Sequence, residues 1–141
     1  MKPIKIRSLN YPAKILLAWK EAIGGNKEIR SFLLKSKYKE LGVFCFALMN
    51  DTSSREWLLK NNYAHLLALI HGIEGKTDAW YWLKKNEFTT LFHMARGGDS
   101  WKESLDWLKE KDKILYGITL EIEKIKDEIE DKNNDPHKIN P

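Results

Sequence analysis

The chain of 141 residues has one cysteine, four prolines and no run of 18 apolar residues. A single thiol forms no internal disulfide, which favours a reducing, cytoplasmic compartment. Without a long apolar run we expect no membrane-spanning helix and no membrane partner. The basic N-terminus lacks an uninterrupted apolar segment and a small-residue cleavage site, so no secretory signal is expected. The composition, 43% hydrophobic and 31% charged, is typical of one globular domain.

Patterns for catalysis and metal binding are also missing. The four histidines show no HExxH spacing and no i,i+4 pair, and a lone cysteine excludes a CxxC motif. No nucleophile is accompanied by a recognisable base. Cys45, between Phe44 and Phe46, is expected to be an inert buried thiol, and His93 a packed core residue. We therefore expect no enzyme, no metal and no cofactor.

A repeat of 25 residues is the strongest pattern present. Four aromatic residues mark it: Phe32, Trp57, Trp82 and Trp107. Each is followed by a leucine: Leu33, Leu58, Leu83 and Leu108. Repeats of this length indicate stacked helical units, in which each unit buries its apolar face against its neighbours. We expect the four aromatic residues to hold equivalent interior positions.

Each unit has room for two short helices. Apolar or small residues recur at helical spacing, as in Ala79, Trp82 and Leu83, and polar or glycine-rich segments such as "KNN" and "GGDS" separate these stripes. The predicted fold is all-α: a short α-solenoid of about four 25-residue helix-turn-helix repeats with a longer C-terminal capping helix. Residues 1–131 form one domain, with units at about 11–25, 26–50, 51–75, 76–100 and 101–131. Residues 132–141 are predicted to be a disordered tail.

The segment "TTLFHMARGGDSWKESLDWL", residues 89–108, resembles an ankyrin helix pair. Thr89, Leu91, Ala95 and Gly98 stand where the ankyrin motif has Thr, Leu, Ala and Gly. Thr90 and Phe92 replace the proline and histidine of the motif, and the 25-residue period leaves no room for the β-hairpin finger. The resemblance implies a protein-binding scaffold.

Two kinds of binding site follow from these patterns. Aromatic residues outside the stacking pattern, with cations near them, predict a groove for a protein or peptide, such as an acidic one: Trp80, Tyr81, Trp101, Arg55, Lys76 and Lys102. The alternative is nucleic-acid binding, because residues 1–50 hold ten Lys or Arg against three Glu. Its candidate contacts are Lys14, Lys20, Lys27, Arg30, Lys35, Lys37 and Lys39. Tracking of phosphates would require these cations to share one face.

Overall fold

The computed structural model describes residues 9–133, and every regular element in this part of the chain is an α-helix. The helices are α1 (Ala13–Ile23), α2 (Lys27–Leu34), α3 (Lys39–Leu48), α4 (Thr52–Lys60), α5 (Ala64–Ile73), α6 (Thr77–Lys85), α7 (Thr89–Gly98), α8 (Lys102–Lys111) and α9 (Lys113–Asn133). The all-α class and the arrangement of helix pairs are confirmed. Helix α9 continues two residues past the predicted boundary at 131, and the rest of the predicted tail lies outside the described residues.

The 25-residue period is repeated in the turns between units. The first helices of the units begin at 27, 52, 77 and 102. Each is preceded by a residue with positive φ: Gly25, Asn50, Gly75 and Ser100. The next backbone N–H donates to the carbonyl five residues earlier, from Asn26 to Glu21, Asp51 to Phe46, Lys76 to His71 and Trp101 to Arg96, over 3.0 to 3.1 Å. This is a Schellman cap, which satisfies carbonyls left free at a helix end.

The leucine of each repeat, and not the aromatic residue before it, is the interior anchor. Leu33, Leu58, Leu83 and Leu108 are fully buried. In contrast, Phe32 is 53% and Trp82 37% exposed, so the interior position predicted for these two residues is wrong. Trp57 and Trp107 are half-buried and pack against the core. The reason is geometric, because successive residues of a helix are rotated by about 100°, and α2, α4 and α6 pack along one narrow face that the leucine occupies.

The helices form an inner and an outer set. The outer helices α2, α4 and α6 each bury a single residue, whereas eight residues of α3 and six of α5 are buried. The inner helices α1, α3, α5, α7 and α9 contact one another in this order, and α9 also contacts α1. The capping helix therefore joins the last unit to the first and closes the inner helices into a ring. The repeated surface that remains open is the one carrying the outer helices.

Candidate functional site

Trp80 and Trp101, the centre of the predicted binding groove, lie against each other. Their ring centroids are 5.6 Å apart in an edge-to-face arrangement. Trp101 is 44% exposed and its Nε1 donates to Asp99 at 3.2 Å, while Trp80 is half-buried. The two rings are therefore neighbours, and the binding groove expected around them stays a prediction. Trp80 is held in place by the packing between units.

Trp80 makes a bond that recurs in the earlier units. At the same repeat position, a side chain donates to a carbonyl eight residues earlier, near the end of the preceding inner helix: Arg30 to Ala22 at 2.8 Å, Arg55 to Ala47 at 2.9 Å and Trp80 to Gly72 at 2.8 Å. Each bond ties the start of one unit to the end of the unit before it. The indole of Trp80 thus replaces an arginine in a structural role. Arg55 has the same structural role in its own unit.

The other predicted cations each lie close to a carboxylate. Arg55 also pairs with Glu74 at 2.7 Å, and Lys76 lies 3.9 Å from the same carboxylate. Lys102 pairs with Asp106 at 2.8 Å. Tyr81 is 68% exposed.

The cations of the predicted nucleic-acid site are divided between two ends of the domain. Short turns make consecutive helices run in opposite directions, so inner helices start where outer helices end. Lys14, Lys35, Lys37 and Lys39 lie at this end, whereas Lys20, Lys27 and Arg30 lie toward the opposite one. The N-terminal third therefore does not present one continuous basic face over its described residues.

Lysines of all the units nevertheless gather at one end, which we call the basic end. Its described lysines are Lys14, Lys35, Lys37, Lys39, Lys60, Lys84, Lys85, Lys109, Lys111 and Lys113. The carboxylates there are Glu40, Glu87, Glu110 and Asp112. Glu40 is buried and accepts a hydrogen bond from the Tyr11 hydroxyl at 2.7 Å. The basic end attracts anionic partners, and its charge comes from the whole array.

An open groove lies between outer helices α4 and α6 and runs over α5. This central groove has a volume of about 770 Å³. It is lined by Leu59, Ala64, Leu67, Ala68, His71, Gly75, Lys76, Thr77, Asp78, Ala79 and Trp82. Leu59 is 58% exposed, although it is next to the fully buried Leu58. The walls are thus apolar, and the charged groups stand at the rim with Lys76 and Asp78.

A second groove lies one repeat further, between α6 and α8 over α7. This adjacent groove has a volume of about 330 Å³ and is lined by Lys84, Thr89, Phe92, His93, Arg96, Glu103 and Trp107. Every one of these residues stands 25 positions after a residue of the central groove. The two grooves are therefore the same structural feature in successive units.

Differences in sequence give the two grooves different shapes. At equivalent positions Ala68 is replaced by His93, whose ring stacks on Trp107 with centroids 4.1 Å apart. Trp82 instead stacks on Phe88, at 5.9 Å. The last unit has Lys113 at the position of Phe88, so Trp107 has no such partner. The ring of Trp107 therefore packs on His93, and the adjacent groove has the smaller volume.

The surroundings of the histidines in the two grooves disfavour the protonated, charged form of the ring. Burial lowers the pKa of His71, and the charge of Lys76 adds to the effect. Burial also lowers the pKa of His93, with a further contribution from Arg96. Both rings are therefore neutral near pH 7.

The features that a metal site, a membrane-spanning helix or a reactive thiol requires are missing from residues 9–133. No three His, Cys, Asp or Glu side chains of this span are grouped so as to hold a metal ion. None of its helices combines the length and apolar character needed to cross a membrane. Cys45 is buried, and burial raises its pKa to about 12, so the thiolate nucleophile is strongly disfavoured.

The sequence contained a signal for the groove residues that its interpretation missed. The repeat position after the aromatic residue is leucine in all four copies, whereas the aromatic position is Phe in the first copy and Trp in the other three. The leucine that recurs in every copy marks the core, so its neighbours in sequence are left for the surface. Examples are Trp82 and, directly after Leu58, Leu59.

Comparison with protein-family models, curated proteins and solved structures finds no match to this chain.

Proposed function

We propose that the chain is a non-catalytic helical-repeat scaffold that binds a peptide segment of a protein partner in the central groove. The observation that supports this proposal is the exposure of Leu59 and Trp82 along a groove of about 770 Å³. The volume lies in the range of pockets that hold ligands. Exposed aliphatic and tryptophan side chains at a concave site are typical of the residues that dominate binding energies.

The stability of the array does not require these two side chains at the surface. Leu58 and Leu83 already fill the core positions of their units. An apolar face of a peptide helix, or alternate side chains of an extended peptide, would bury the exposed surface of Leu59 and Trp82. The ankyrin-like resemblance implies the same class of function, and a cytoplasmic location is in keeping with the single buried thiol.

The proposal is tested by selecting displayed random peptides of about 12 residues on the immobilised full chain, since that length spans the groove in helical or extended form. Affinities of the selected peptides are then measured for variants Leu59→Ala and Trp82→Ala. Each variant should weaken binding about tenfold or more, as expected for a central contact.

The matched control is Tyr81→Ala. Tyr81 neighbours Trp82 in sequence and is more exposed, but it does not line the central groove. Binding should change less than about twofold in this variant. Equal losses for Tyr81→Ala and Trp82→Ala, with the fold kept by circular dichroism, would contradict the proposed site. A selection that yields no binding peptide would contradict the proposed function.

A further inference from the structure

Arg96 in the adjacent groove is a mostly buried cation whose contacts are largely with aromatic rings. Its guanidinium lies over three rings, with centroid distances of 4.6 Å to Trp101, 5.3 Å to Phe92 and 5.7 Å to Trp80. Its side chain is only 17% exposed, and its buried Nε has no hydrogen-bond acceptor among the described residues. Within residues 9–133 its guanidinium pairs with the carboxylate of Glu103 at 3.4 Å, and the Glu103 side chain is 79% exposed. A buried cation of this kind gains from an additional anionic partner.

A second cation faces the same ring from another helix. The Nζ of Lys84 lies 5.6 Å from the Phe92 centroid, and Lys84 lines the adjacent groove together with Arg96 and the hydroxyl-bearing Thr89. The equivalent residues of the central groove are Leu59, His71 and Ala64. One repeat along the array, the same groove therefore changes from apolar to cationic. Burial is the main cause of the lowered pKa of His93, and the charges of Arg96 and Lys84 lower it further.

We propose that the adjacent groove binds a carboxylate of the same peptide whose apolar residue occupies the central groove, so that the partner is an acidic peptide. The inference rests on the proposed function. Charge complementarity supports this occupant, because Lys84 also belongs to the basic end, where lysines outnumber carboxylates. A carboxylate matches the guanidinium and ammonium donors better than a neutral side chain does.

The repeat also fixes the spacing within the partner. Packed helices lie about 8–10 Å apart, so equivalent points of the two grooves are separated by a similar distance. An extended peptide covers this in about three residues, at about 3.3 Å each. A helical peptide covers it in about seven residues, at about 1.5 Å each. Selected peptides should accordingly carry Asp or Glu about three or about seven positions from their apolar anchor.

The test uses the same peptide selection on the full chain, followed by a double-mutant cycle. Each selected peptide is compared with its amide version, in which Asp becomes Asn and Glu becomes Gln, on the wild type and on Lys84→Leu. Lys84 is exposed, and leucine is the residue that the central groove has at this position. The acidic peptide should lose about tenfold in affinity on Lys84→Leu, and the amide peptide less than about twofold. Arg96→Gln should act in the same direction.

Lys85→Leu is the matched control, since it removes one neighbouring lysine of the basic end that does not line the groove. It should reduce the affinity of the acidic peptide less than Lys84→Leu does. Equal losses for acidic and amide peptides would overturn the carboxylate site. The carboxylate site would also be overturned if a single-stranded oligothymidylate bound more tightly than the peptides and its binding depended on Lys84 and Arg96. Selected peptides without acidic residues that still require Leu59 and Trp82 would refute this inference and leave the proposed function standing.

Discussion

Leu58 and Leu59 are adjacent residues of one helix with opposite roles, so the same substitution should have different effects. Leu58 is fully buried, and Leu58→Ala removes about three carbon groups, each worth about 0.8 kcal/mol on transfer from water. A residual cavity adds about 24 cal/mol per Å³, which brings the expected loss of unfolding free energy to about 2.5–4 kcal/mol. Leu59 is 58% exposed, and Leu59→Ala should cost less than about 1 kcal/mol.

The two variants are compared by urea denaturation monitored by circular dichroism and by calorimetry. The Tm of Leu58→Ala should fall by about 10 °C, whereas that of Leu59→Ala should fall by no more than about 3 °C. Helix propensity is the same for both changes, because both replace leucine by alanine in the last turn of α4. A loss below about 1 kcal/mol for Leu58→Ala, or equal losses for the two variants, would refute the assignment of the leucine position to the core.

Three further predictions concern single side chains. Arg96 packs over Trp80, and in the first unit the arginine and the ring occupy the opposite positions. The double variant Trp80→Arg with Arg96→Phe should therefore be more stable in urea melts than the sum of the two single losses implies, by about 0.5 kcal/mol or more. The pKa of His93 is lowered in the folded state, so the stability that neutral His93 contributes is present above about pH 6.5 and is lost as the pH falls. His93→Gln should therefore reduce the loss of Tm between about pH 7 and about pH 5. The Cys45 thiol, with a pKa raised to about 12, should resist iodoacetamide in the folded protein and react after denaturation, and rapid labelling of the native chain would contradict its burial.

The helical repeat was predictable because its signal is distributed over four copies. The interval of 25 residues located the unit boundaries, and the glycine- and asparagine-containing segments marked turns that require positive φ, as at Gly25 and Asn50. The helix faces were harder to predict. An aromatic residue followed by leucine satisfies the same spacing rule in two registers, and the larger side chain was incorrectly assigned to the core.

The grooves and the ring closure depend on contacts between units. The residues of the central groove come from α4, α5 and α6, and no segment of the sequence contains them together. The contact of α9 with α1 joins parts of the chain that are about 100 residues apart, so local periodicity gives no sign of it. The role of Trp80 was hidden because an indole replaces arginine as the hydrogen-bond donor.

The most direct measurement of peptide binding is methyl NMR of the full chain with a saturating amount of a selected peptide. Leu59, Leu67 and Ala68 line the central groove, whereas Leu17 and Leu120 are exposed leucines elsewhere on the surface. The largest chemical-shift changes are expected at the methyl groups of the three groove residues, and almost none at the two other leucines. Changes confined to Leu17 or Leu120, with the groove methyl groups unaffected, would contradict this expectation.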